Sequence, residues 1–177
     1  MLIIAQDPSQ ATDKLRRLLD SLGMKSRVFY TNFETNVDEN TISLASSFSY
    51  SSKDDYQGKP LFFNDLSVPL YWELWTLGIT TYLFDGKDRR ANIIFRENVR
   101  DRTVKQVEWF GQGEKVVAID DYNRYGWRTK QRLLDDEGRA LMDIYFNRAQ
   151  EEVLLHYIQE DYLIHQGSVG RDKIFSG

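Results

Sequence analysis

The sequence contains no cysteine, and that absence removes several chemistries at once. Disulfide scaffolding, thiolate catalysis and cysteine-ligated zinc all need the residue. Histidine is almost as scarce: His156 and His165 are the only two, and neither has a second ligand residue at metal-binding spacing, so structural places are expected for both. Proline occurs three times, too few for a polyproline-rich or disordered chain. No apolar run approaches the roughly 20 residues of a membrane-spanning helix. The opening Met1-Leu2-Ile3-Ile4-Ala5 is short and runs into Asp7-Pro8, unlike a secretion signal. A cytoplasmic protein is therefore expected, with membrane association at most peripheral. A one-sided charge is missing too: the formal net charge is -4, which gives no broad pull toward nucleic acid, and no nucleic-acid partner is expected.

What is present is globular in character, with 41% apolar and 28% charged residues. Residues 2–5 form a short apolar run. Leu15, Leu18, Leu19 and Leu22 then recur at helical spacing, and Gly23 supplies a natural end. A second strand is expected at 27–30, so the beginning reads as one strand–helix–strand unit. No glycine-rich loop joins its strand to its helix, so nothing there cradles a phosphate. Strands are then expected at 41–50, 60–63, 70–75, 80–84, 91–96, 104–110, 115–120, 127–134, 141–146 and 153–158. The connectors include Asp85-Gly86-Lys87-Asp88, Gly111-Gln112-Gly113 and Asp135-Asp136-Glu137-Gly138. Gly and Asp supply tight turn conformations, and strands joined that tightly must run antiparallel. The expected fold is α+β: mainly an antiparallel β-meander with a short N-terminal strand–helix–strand unit. The expected divisions are 1–40 for a partial Rossmann-like β-α-β unit, 41–165 for the meander and 166–177 for a flexible Gly/Ser-rich tail. Segment 115–120 is apolar on both faces, which predicts a central strand.

Catalytic groupings are weak. Asp120-Asp121 is the most prominent acidic pair, but neighbours on a strand point to opposite faces, which argues against a shared acid/base dyad. No serine sits in a Gly-x-Ser-x-Gly elbow. No catalytic residue, metal or cofactor is expected. Aromatics are the more informative class, with 4 Trp, 10 Tyr and 10 Phe. They fill cores and pair across strands, and on an open sheet they make protein-binding platforms. The most distinctive stretch is Asp121-Tyr122-Asn123-Arg124-Tyr125-Gly126-Trp127, which suits a turn or bulge presenting polar aromatics. Tyr122, Arg124, Tyr125 and Trp127 are the expected partner-binding residues. Arg128, Lys130 and Arg132, which alternate along one strand, are the expected cationic rim.

Three motifs together carry a resemblance. Gly58-Lys59-Pro60-Leu61-Phe62-Phe63-Asn64 with Val68-Pro69, then Val104-Lys105-Gln106-Val107-Glu108-Trp109, then the stretch 121–127 occur in an order similar to the N-terminal region of GtfB-like stabilising subunits of accessory Sec-system glycosyltransferases. The hairpin ending in Asp143-Ile144-Tyr145-Phe146 resembles their β-meander add-on domain, and the likeness spans residues 1–165. It implies a GT-B-like protein with the meander inserted in its first Rossmann-like domain, of which this chain carries the start. It also implies a subunit that transfers no sugar, binds the catalytic glycosyltransferase subunit and helps hold a Ser/Thr-rich adhesin acceptor. Two alternatives stay open: a piece of a catalytic GT-B glycosyltransferase acting on protein or cell-wall polymer, and a structural β-domain that self-associates through a sheet edge.

Overall fold

The computed structural model describes residues 1–77, 80–96, 99–160, 162–167 and 170–176. The chain opens with β1 (Leu2–Ala5), α1 (Gln10–Ser21) and β2 (Arg27–Tyr30). Ser9 caps α1, its hydroxyl accepting the Thr12 N–H at 3.2 Å, which satisfies a donor that the helix itself cannot. Leu19 of α1 packs on Ile3, Val28 and Tyr30, and that burial holds β1 and β2 parallel in the register Ile3 to Val28. The expected strand–helix–strand unit is present.

It is larger than the sequence predicts. The segment 41–50, expected as a meander strand, divides into β3 (Thr41–Ser43) and α2 (Leu44–Ser49). β3 joins the first sheet, parallel to β2. The cause is Ser43: its hydroxyl accepts the Ser46 N–H while the Ser46 hydroxyl accepts the Ser43 N–H, a reciprocal box that starts a helix where apolar spacing alone suggests a strand. Segment 60–63 also forms no named strand. Phe62 makes a single bridge to Thr103, and Phe63–Asp65 is a 3-10 turn.

The second sheet follows β4 (Glu73–Leu77), β5 (Thr80–Asp85), β6 (Asp88–Phe95), β7 (Val104–Phe110), β8 (Val116–Tyr122), β9 (Arg128–Leu134), β10 (Ala140–Phe146), β11 (Glu152–Tyr157), β12 (Tyr162–Gly167) and β13 (Gly170–Ser176). It is a ten-stranded meander in strict sequence order, antiparallel throughout. β8 lies in the middle, as its two apolar faces predict. Where a flexible tail is expected, β13 pairs with β12, whose outer backbone groups would otherwise lack partners.

The meander is covered unevenly. On one face, Leu61, Phe63, Leu66, Val68 and Trp72 pack over Leu83, Ala91, Ile93, Val104 and Val107 of β5–β7. On the opposite face, Phe33 and the α2 residues Leu44, Ala45 and Phe48 pack over Tyr145, Leu154 and Leu163 of β10–β12. Among the described residues β4 is one edge of the sheet and β13 the other.

Candidate functional site

The stretch 121–127 forms the turn between β8 and β9, and it is the joint between the meander and the N-terminal unit. Asn123 organises it. Its Oδ1 accepts the N–H groups of Tyr125 at 3.0 Å and Trp127 at 3.2 Å, and its Nδ2 donates to the Tyr50 hydroxyl at 2.9 Å. That hydroxyl in turn donates to the Thr35 carbonyl at 2.7 Å. The Thr129 and Thr35 hydroxyls are joined at 2.9 Å, and Asn36 Oδ1 accepts the Arg124 N–H at 3.2 Å. Burial pushes the Tyr50 phenol well up, so it stays a neutral donor in this chain.

The same turn locks two of the sequence motifs together. Gly58 and Gly126 both have positive φ, at 135° and 93°. A Cβ on Gly58 would strike the Tyr125 carbonyl oxygen, and one on Gly126 would strike the Lys59 carbonyl oxygen. The backbones of Gly58-Lys59 and Tyr125-Gly126 therefore approach as only glycines permit.

This geometry redistributes the expected binding residues. Trp127 is 8% exposed and packs with Tyr50, ring centroids 4.9 Å apart, and with Val37. Tyr122 leans on the core beneath β5–β7, and burial raises its phenol. Trp127 thus helps hold the joint together, while Tyr122 belongs to the core of the meander. Tyr125 is half-buried, edge-on to Tyr56 at 6.0 Å, and Arg124 is exposed.

The expected cationic rim is divided. Asp121 pairs with Lys130 and Tyr122 with Arg128, so Thr129 is an extra residue on β9. Such a bulge reverses the alternation of side chains. Arg128 consequently lies over the Phe146 ring at 4.0 Å and 3.5 Å from Asp120, while Lys130 and Arg132 occupy the other face. There Lys130 meets Asp121 at 2.7 Å, and Arg132 grips Asp143 with two hydrogen bonds of 2.7 Å. Asp120 and Asp121 point to opposite faces, as their adjacency predicts. Asp120 is enclosed by Trp109 Nε1 at 2.7 Å and Gln131 Nε2 at 2.8 Å, and burial raises its carboxyl despite them.

Between the loop 32–36 and the sheet runs a cleft of about 510 Å³, with Arg96, Lys105, Lys130 and Arg132 among its walls. Arg96 and Lys105 also line a second cleft of about 890 Å³, together with Arg124. Phe33 stacks on His156 at 4.7 Å, and Phe48 lies 5.0 Å from His165, so both imidazoles pack within the joint. Among the described residues no cluster of three metal-ligating side chains occurs, and no helix is long and apolar enough to cross a membrane.

Sequence reasoning missed an exposed apolar group at the first strand of the meander. Leu70 is 89%, Tyr71 85%, Trp75 53% and Leu77 69% exposed, all on or beside β4. The signal was available, since Leu70-Tyr71-Trp72-Glu73-Leu74-Trp75 is apolar at too many successive positions for a strand with one buried face.

Residues 72–176 match the family model described as the GtfB middle domain. The stabilizing protein GtfB of a UDP-N-acetylglucosamine–peptide N-acetylglucosaminyltransferase from Limosilactobacillus reuteri is 31% identical over 119 residues, covering 67% of this chain and 27% of that protein. The protein of the same name from Streptococcus agalactiae is 29% identical over 115 residues, covering 65% and 26%. The chain thus spans about a quarter of the length of the curated relatives it matches. Among solved structures, a GtfA/B complex bound to UDP and GlcNAc superimposes with a TM-score of 0.86 at 21% identity, over 99% of this chain and 39% of that one. The accessory secretory protein 1, 2 and 3 structure from Streptococcus pneumoniae superimposes with a TM-score of 0.72 at 11% identity, over 93% and 34%. At these identities the structural likeness speaks to fold. The family expected from the three motifs and the family matched over 72–176 agree, and the chain belongs to the GtfB family through its middle domain.

Proposed function

We propose that this chain is a non-catalytic docking region of a GtfB-type stabilising protein, and that its meander binds the catalytic subunit of a protein O-GlcNAc transferase in the cytoplasm. The observation that carries the reading is the sheet edge at β4. A sheet edge offers a row of unpaired N–H and C=O groups, and here it is bordered by Leu70, Tyr71, Trp75 and Leu77. Aromatic and aliphatic side chains around an open edge supply both the main-chain bonds and the apolar anchors of a protein interface. Support for the partner comes from the relatives, which are named as stabilizing proteins of a peptide N-acetylglucosaminyltransferase. The non-catalytic part draws support from Asp120: the carboxyl that burial holds above its ordinary value is itself buried and taken up by Trp109, Gln131 and Arg128.

Hydrogen exchange of the chain with and without the catalytic subunit tests the placement. The reading expects the amides of 73–77 to gain protection on complex formation. Protection confined to the β8–β9 turn, with 73–77 unchanged, would move the interface to Arg124 and Tyr125 and refute the edge as the docking surface.

A further inference from the structure

Among the described residues five cations of the meander meet carboxylates. Arg90 meets Asp85 and Asp88, Arg128 meets Asp120, Lys130 meets Asp121, Arg132 meets Asp143, and Arg139 meets Asp135. Arg96, Lys105 and Arg124 lie outside these pairs, and what sets them apart from the other cations without a carboxylate is that they gather in one place. All three line one cleft at the joint, between Pro8, Glu34 and Asn36 of the N-terminal part and Phe95 and Thr103 of the sheet. Among the described residues none of the three makes an ion pair. Arg96 is half-buried; its guanidinium donates to the Tyr122 carbonyl, and its Nε is enclosed without a protein acceptor. Lys105 is the extra residue of a second bulge, since Ile94 pairs with Gln106 and Phe95 with Val104. That bulge turns its ammonium to the joint instead of along the alternating pattern of β7.

The cleft also has two carboxylates, and neither neutralises the cluster. Glu34 Oε1 accepts the N–H groups of Thr35 at 3.0 Å and Asn36 at 2.7 Å, so it is engaged with its own loop. Asp101 is exposed at the rim. Burial, and then the neighbouring Arg124 cation, lower the Arg96 guanidinium from its ordinary value. Holding like charges together around a half-buried guanidinium is costly unless an anion is bound among them. In a chain of net charge -4 this concentration is out of character with the whole.

We propose that Arg96, Lys105 and Arg124 form an anion-recognition site that takes carboxylate side chains of an extended acidic polypeptide lying along the joint. The two clefts share Glu34, Asn36, Arg96 and Lys105 and so adjoin as neighbouring parts of one trough, in whose first part Asp121 and Asp143 are taken up by Lys130 and Arg132. A trough of that size exceeds the need of a single small oxyanion and suits an extended chain. The glycine-rich backbone cradle that a nucleoside phosphate uses is absent from the first strand–helix junction, Gln6-Asp7-Pro8-Ser9. The guanidinium forks of Arg96 and Arg124 match carboxylate geometry, and Lys105 adds a point charge. This site is separate from the β4 edge and does not depend on the identity of the partner that docks there.

The test measures fluorescence anisotropy of a short labelled peptide of alternating Ser and Glu, against one of alternating Ser and Gln, on the whole chain. The expected result is binding of the Glu peptide that weakens as salt is raised, with the Gln peptide at least about tenfold weaker. The double variant Lys105→Gln/Arg124→Gln, both exposed positions, should lose roughly tenfold or more in affinity while its melting curve is unchanged. Arg96→Gln should weaken binding as well, with its thermal melt measured alongside because it also holds the Tyr122 carbonyl. Equal binding of the two peptides, or unchanged affinity in the double variant, overturns the site. If inorganic phosphate at the same anion concentration displaces the peptide fully, the site reads free oxyanions and the polypeptide assignment is wrong.

Discussion

Replacing Asn123 with alanine probes the joint at its centre. Asn123 is fully buried, and its amide makes three hydrogen bonds: to the N–H groups of Tyr125 and Trp127, and to the Tyr50 hydroxyl. Alanine removes all three and leaves two main-chain donors that the turn cannot satisfy otherwise. Each buried donor left unpaired costs about 1–3 kcal/mol, although Tyr125 N–H is only partly enclosed and would recover some of that from water. The sum is roughly 2–4 kcal/mol, or about 5–15 °C in melting temperature for a chain of this size. Urea unfolding, followed by tryptophan fluorescence, reads the effect directly, because Trp127 sits in the affected joint. A double-mutant cycle with Tyr50→Phe should show coupling of about 0.5–3 kcal/mol, since the two side chains share a bond. A loss below about 0.5 kcal/mol for Asn123→Ala, the level of an ordinary surface change, would refute the view that this amide holds the joint.

Gly126→Ala combines a positive φ with a clash against the Lys59 carbonyl oxygen, so it should cost at least about 2 kcal/mol. Gly86→Ala, at φ 63° with nothing within 4 Å of the new Cβ, should cost only about 1 kcal/mol. Equal urea midpoints for the two variants would contradict the close backbone approach. Burial pushes the Asp38 carboxyl up, but hydrogen bonds from Thr41, Asn40 and Arg16 outweigh it, and the folded pKa lies below the ordinary value. Asp55 is lowered in the same way, against burial, by the N–H and hydroxyl groups of Ser51 and Ser52. Both contributions are therefore complete above the ordinary carboxylate pKa near about 4 and are lost as pH falls through the lower folded values. Denaturation from about pH 5 downward should show Asp38→Asn and Asp55→Asn shallower than wild type, and an unchanged acid limb would refute the assignment. Trp75→Glu should weaken docking of the catalytic subunit by at least about 2 kcal/mol without lowering the melting temperature, because the residue is half-exposed at the edge. Unchanged affinity in calorimetry would remove Trp75 from the interface.

The hairpin pattern was legible because its causes are local. Gly86 and Gly138, with φ of 63° and 79°, stand in the Asp/Gly clusters that separate the strands. The apolar pairs Val116/Ala118 and Val117/Ile119 likewise marked β8 as a central strand, and it lies mid-sheet although Val117 is exposed. What stayed hidden depends on contacts between distant residues. Nothing near Thr129 announces a bulge; it arises because Tyr122 must pair with Arg128 while Asp121 pairs with Lys130. That single displacement removed Arg128 from the expected cationic face. Trp127 reads as a binding aromatic in sequence, but Tyr50 and Val37, far away in the chain, bury it. Asn123 was visible only as a turn residue, because its partner Tyr50 lies 73 positions away. The reciprocal caps between Ser43 and Ser46 were readable, yet the strand-like composition of 41–50 outweighed them.

The most direct test of the account is calorimetric titration of this chain with the catalytic GtfA subunit of an O-GlcNAc transferase pair. The account predicts saturable binding by this chain, and a negative heat-capacity change as the apolar edge at Leu70, Tyr71, Trp75 and Leu77 is buried. A folded, monomeric chain that gives no binding heat at any temperature would contradict the claim that this region docks the catalytic subunit.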